Sequence, residues 1–203
     1  PPALAVRADE LRASLKLVPA GVLAARAGAV YSEIGPGRGE IHLSLFNSPL
    51  VASYPAFRFY SAFGDELPNF LQTLLLYYFS VADGAPLTGK FVSFADLPGG
   101  RVYAQAFHGY SGDVVRAAVQ QELERFKAAC LALGGQPLEL GSAAFEFAAL
   151  PRVPLQLVYW LGDEDFPSNC KILFDASATH YLPIDGCAIL GSQLTGKIIK
   201  RLR

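Results

Sequence analysis

LPNFLQTLLLYYFSVADGAPLTGKFVSF, residues 67–94, decides the fold, because GAPLTGKF (84–91) differs by one letter from the phosphate-cradling run G-x-x-x-x-G-K-[ST]. A working cradle joins a strand to a following helix, and its last hydroxyl reaches a magnesium ion. Here the order is inverted. LPNFLQTLLLYYFSVA reads as a helix, KFVSF reads as a strand, and Asp83-Gly84 reads as the helix stop between them. Phe91 stands in the hydroxyl position, and Pro86 brings no N–H to the would-be cradle. The same letters return at 191–198 as GSQLTGKI, with Ile198 at the hydroxyl position inside a helical pattern. Neither run is a nucleotide site, so nothing here calls for a doubly wound sheet.

Working outward, residues 67–82 are apolar on nearly every face, which marks a helix buried through the domain centre rather than one lying on its surface. Toward the N-terminus, helical spacing covers 3–16 and 19–26. AVYSEI and EIHLSLF then flank GPGRG as a hairpin with a five-residue loop, and LVASYP and AFRFY follow as short strands. Toward the C-terminus, LPGG turns the chain into RVYAQAF, which ends at His108 as a strand would. Val115, Val119, Leu123, Phe126, Cys130 and Leu133 form one stripe of a long helix, with Asp113 as its N-cap and Gly134-Gly135 as its stop. AAFEFAAL, PLQLVYW and CKILFD read as strands. A last helix begins near Asp185, with Cys187, Leu190, Leu194 and Ile198 inward. Strands and helices cluster instead of alternating. The expected fold is α+β, a mostly antiparallel mixed sheet with about four helices, one of them central, in a single domain over 1–203.

Composition narrows the function classes. Hydrophobic residues make up 52% and charged residues 17%, which argues against disorder. With 17 basic and 18 acidic side chains there is no electrostatic footprint for nucleic acid, and KIIKRLR at the end reads as cations on a helix C-terminus. Cys130, Cys170 and Cys187 lie far apart, without metal-ligand or disulfide spacing. Arg7, Asp9, Glu10, Arg12 and Lys16 leave no signal-peptide core, and no apolar run is long enough for a bilayer, so the expectation is a soluble cytoplasmic protein. The absence of methionine, even at the start, suggests that an N-terminal piece is missing.

Three constellations carry candidate chemistry. HGYSGD (108–113) brushes against the elbow G-x-S-x-G, with Ser111 as nucleophile and His180 as base, but Asp113 stands where the second glycine belongs. WLGDEDFPSN (160–169) sets Asp163, Glu164 and Asp165 between two strands, an oxygen-rich candidate for a hard cation or for acid–base work. Trp160, the only tryptophan, is a candidate stacking surface beside them. Third are the histidines: His42 on a strand's polar face, His108 and His180. Each of these has a bland alternative: a capped helix, a solvated loop, a hydrogen-bonded side chain.

PLTGKFVSFADLPGGRVYAQAF (86–107), LGGQPLELG (133–141), LPRVPLQLVYWLGDEDFPSNCKILFDASATHYLP (150–183) and the closing helix resemble, in that order, the family known as domain of unknown function 3786. The likeness covers roughly 15–202, and its most distinctive segment is W-x-G-D-E-x-F-P, Trp160 to Pro167. Phe91 departs from an aromatic position that is often Trp. The resemblance implies a cytoplasmic protein of anaerobic bacteria and archaea, with some relatives joined to iron–sulfur domains and a link to redox or corrinoid metabolism. It brings no catalytic residues. The leading expectation is therefore an accessory or binding domain for a small molecule or a protein partner, with neither nucleic acid nor membrane involved. The competing expectation is a hydrolase, either metal-assisted through the acidic loop and His180 or serine-based at Ser111. The residues to inspect are Trp160, Asp163, Glu164, Asp165, His108, Ser111 and His180.

Overall fold

A computed structural model describes residues 2–203. The chain opens with α1 (Pro2–Leu15) and α2 (Ala20–Ala27). A four-stranded meander follows: β1 (Val30–Gly35), β2 (Arg38–Leu45), β3 (Ser48–Tyr54) and β4 (Phe59–Ser61), paired in that order. Next come α3 (Asn69–Val81), β5 (Phe91–Ser93), α4 (Ala104–Tyr110), α5 (Gly112–Val119) and α6 (Leu123–Ala132). The last elements are β6 (Gln136–Leu138), β7 (Ala143–Leu150), β8 (Val153–Trp160), β9 (Asn169–Asp175) and α7 (Ile184–Leu202). The second sheet has the order β5-β9-β8-β7-β6. Every strand pairing is antiparallel.

The fold is thus α+β, with the strands divided between two sheets and more helices than the expected four. The division follows from the chain itself. β1 to β4 are joined by turns too short to leave their sheet, whereas α3 carries the chain away before β5 begins. The GPGRG turn is tighter than expected. Gly35 already pairs with Arg38, so only Pro36 and Gly37 form the loop, and Gly37 supplies the positive φ of 66° that such a short turn needs.

The expected long helix from Asp113 to Leu133 is broken. Gln120 takes φ 50°, ψ −111°, which separates α5 from α6. The Tyr159 hydroxyl donates to the Gln120 carbonyl at 2.7 Å and fastens the break to β8. The inward stripe survives it, because Val115, Val119, Phe126 and Cys130 are all buried. Asp113 stands in the first turn of α5, and Ser111 occupies the cap position. RVYAQAF holds no strand: its Ala-Gln-Ala segment, made of good helix formers, starts α4.

α3 is buried on most of its circumference from Gln72 to Phe79, as its all-round apolarity requires. It packs against α1, α2 and α7. Its Tyr78 hydroxyl donates to the Ala27 carbonyl at 2.6 Å and accepts from the Arg152 N–H at 3.1 Å, tying α2 to the β7–β8 turn. Burial pushes the Tyr78 phenol pKa up. One continuous hydrophobic cluster runs under both sheets. Among the described residues, no helix is long and apolar enough to cross a membrane.

Candidate functional site

β8 and β9 are neighbours joined by the 161–168 loop, and the Trp160–Asn169 pair closes its base. Asp163 shapes this loop from within. Its Oδ1 accepts from the Asp165 N–H at 3.0 Å and the Phe166 N–H at 2.8 Å, while its own N–H donates to the Phe166 carbonyl at 2.9 Å. A carboxylate occupied by its own turn is an Asx-type brace. Glu164 and Asp165 point to solvent, and Phe166 is 71% exposed at the tip.

Facing the loop is the α4–α5 corner. It sits close to β9 because Gly112 has no side chain; a Cβ there would lie 2.1 Å from the Cys170 carbonyl oxygen. On this corner the Asp113 carboxylate receives Arg116 Nε at 3.2 Å and lies 3.6 Å from His108 Nε2. Between corner and loop lies an open cleft of about 760 Å³, lined by Asp113, Arg116, Trp160, Phe166, Asn169 and Lys171 among others. Lys171 Nζ stands 6.0 Å from the centroid of the Trp160 ring, at cation–π distance. Arg116 has Asp113 as its counter-ion. Lys171, among the described residues, has no carboxylate within 4 Å.

Of the residues marked from sequence, Trp160 lines this cleft, His108 and Ser111 line a smaller pocket beside it, and the acidic triplet belongs to the loop that walls the cleft. His108 lies on α4 rather than at the end of a strand. Ser111 sits in a corner between two helices, not after a strand. Its hydroxyl donates to the Phe107 carbonyl, and the residue is 1% exposed. A nucleophile needs a base on its proton; Ser111 borders a small pocket under α4, but its proton goes to the Phe107 carbonyl and not to a base. His180 is engaged elsewhere: its Nδ1 is 2.7 Å from Asp83 Oδ2. That hydrogen bond, and then one from the Ala85 N–H, hold the Asp83 carboxyl below its ordinary pKa. The acidic loop and His180 therefore do not share a site. Among the described residues, no group of three or more His, Cys, Asp or Glu side chains is arranged to hold a metal ion. His42 lies 3.5 Å from Glu40 on the outer face of β2.

The LTGK run proves to be an anion cradle of another kind. Asp175, 1% exposed at the end of β9, accepts at Oδ1 from the N–H and hydroxyl of Thr88 and of Ser177, and at Oδ2 from the Gly89 N–H at 2.7 Å. Burial alone would raise this carboxyl's pKa, but the hydrogen bonds from Ser177 and Thr88 outweigh it and hold the pKa below the ordinary value. The cradle's anion is supplied by the chain.

Iron–sulfur clusters are held mainly by cysteine thiolates, usually four. Here there are three cysteines, all free and buried, and burial pushes each thiol pKa up. They do not fit a cluster.

A family model, Domain of unknown function (DUF3786), matches residues 20–197. The chain belongs to this family. No curated protein and no solved structure shows a significant match to it. Within the matched range, Trp160–Pro167 walls the cleft and the LTGK run cradles Asp175, so these two segments have distinct structural roles in this chain. Arg116 and Lys171 escape a motif search because each is a single cation in an otherwise ordinary amphipathic element. Pairing β8 with β9 and docking α5 on β9 is what brings them together.

Proposed function

We propose that this DUF3786 domain is a binding domain whose ligand is a small organic anion, held in the cleft between α5 and the β8–β9 loop. The observation that carries the reading is Lys171, a cation without a counter-ion beside the Trp160 ring in an open concavity. A planar or apolar group stacks on Trp160 or Phe166, and the anion meets Lys171, with Arg116 behind it. Asp163 positions the loop; Glu164 and Asp165 keep the rim acidic, which disfavours highly charged polyanions. The chain is taken as one domain because a single core underlies both sheets. An accessory role in the cytoplasm, beside iron–sulfur or corrinoid proteins of anaerobic metabolism, rests on the family resemblance and belongs to the proposal on that ground.

Trp160 is the only tryptophan, so intrinsic fluorescence reports on the cleft directly. Titration with benzoate and other small carboxylates is expected to give a saturable change in emission. In Lys171→Ala the apparent Kd should rise about tenfold or more, the usual size of a lost charge-assisted hydrogen bond. A panel of small carboxylates and phosphates that leaves Trp160 emission unchanged would overturn the reading.

A further inference from the structure

Beside the open cleft lies a second, smaller pocket of about 190 Å³ under α4, lined on its apolar part by Phe94, Ala95, Ala104, Phe107 and Ile172, with Ser93 and Ser111 also at its wall. Lys171 lines both cavities. A second link is the His108–Asp113 contact, since His108 borders the small cavity and Asp113 the large one. The partition between them is therefore polar, with the uncompensated ammonium of Lys171 on it, while most of the smaller pocket's lining is apolar. An apolar cavity of about 150 Å³ is large enough to take up benzene. The smaller cavity is of that order, and Phe94 stacked on Phe107 at 4.3 Å gives it a rigid aromatic wall.

We propose that the ligand is a monoanionic carboxylate with a short apolar arm of about six carbons. Its carboxylate sits on Lys171, and its arm enters the cavity under α4. The inference rests on the anion-cleft reading and narrows it. Charge selects the head: Arg116 is already neutralised by Asp113, which leaves one cation to match and favours a monoanion over a phosphate dianion. Volume selects the arm, since a ring or a six-carbon chain fills the cavity and a ten-carbon chain does not fit. The polar partition places head and arm on opposite sides of one lysine.

The test titrates the full chain with acetate, butyrate, hexanoate, phenylacetate and decanoate, read by Trp160 emission and repeated by calorimetry. Affinity should rise with arm length by up to about fourfold per methylene through hexanoate and phenylacetate, then fall for decanoate. Ala104→Leu fills the smaller cavity without touching the cleft, so it should abolish the length dependence and leave acetate binding unchanged. Ala95→Leu, on another wall, serves if Ala104→Leu does not fold. Carboxylates that bind with no dependence on arm length, or with the same dependence in both leucine variants, overturn the arm and leave the anion cleft standing. Failure of every anion to bind overturns both.

Discussion

The turn at Thr88–Gly89 and the cleft at Lys171 both direct positive ends of groups toward a place for an anion. In the first, Asp175 fills that place, covered and saturated with five donors. In the second, among the described residues, no carboxylate meets Lys171, and the space in front of it is open. A satisfied polar group buried in a fold is part of its stability, because removing one partner leaves the other without solvent. An unsatisfied one at a concave surface is available to a ligand. The sequence resemblance to a phosphate loop fell on the satisfied site, and the candidate binding site carries no motif at all.

The contrast breaks most readily at Asp175. Asp175→Asn places an amide N–H₂ against the Gly89 N–H or the Thr88 and Ser177 donors, and removes the charge that strengthens all five hydrogen bonds. A loss of about 2–3 kcal/mol in unfolding free energy by urea denaturation is expected, with Trp160 fluorescence titrations of benzoate unchanged. Unaltered stability would erase the distinction between the two places.

Acid should sharpen it. The Asp175 carboxyl has a lowered folded-state pKa, so its contribution is fully present above the unfolded value, about 4, and disappears as pH falls through the folded value. Melting temperatures of wild type and Asp175→Asn should therefore differ at neutral pH and converge in acid. A gap that stays constant down to pH 2 would mean that the charge is not what the cradle holds.

Two smaller effects concern the open site. Asp163→Ala deletes the acceptor for two loop N–H groups and should cost about 1 kcal/mol. It should appear as faster amide exchange at Asp165 and Phe166 with little change in global unfolding. Lys171→Ala should leave stability within about 0.5 kcal/mol, as for an exposed residue, while altering Trp160 emission and weakening carboxylate binding. A strongly destabilised Lys171→Ala would make that lysine a structural residue and remove the contrast.

Local physics was legible in the chain. The inverted helix–strand order around GAPLTGKF excluded a phosphate loop, and the apolar run at 67–82 gave the central helix. The inward face of the last helix could be read from Cys187, Leu190, Leu194 and Ile198, all buried. The break at Gln120 was not legible, because the hydrophobic stripe continues across it and the hydroxyl that fixes it belongs to Tyr159, 39 residues away in sequence. RVYAQAF alternates like a strand, and only the absence of a partner strand lets its helix-forming alanines and glutamine prevail. The short turns of β1 to β4 keep them in one sheet, but the order β5-β9-β8-β7-β6 of the other depends on which strands meet, which no local pattern encodes. At the candidate site, Trp160 and its loop were visible as a composition anomaly, whereas Arg116 and Lys171 were not. Asp175 left a faint trace: an acid ending an apolar strand two residues before Ser177, the spacing of a side-chain turn.

The burial of Cys130, Cys170 and Cys187 has a practical side. Thiols held protonated and out of reach of solvent react poorly with maleimides at neutral pH. The native chain therefore offers a silent background for site-specific labelling, and no cysteine need be removed first. Phe166→Cys, at the exposed tip of the 161–168 loop, would carry a single dye beside the cleft. Paired with Trp160 as donor, that dye would turn the shape of the 161–168 loop into a measurable distance.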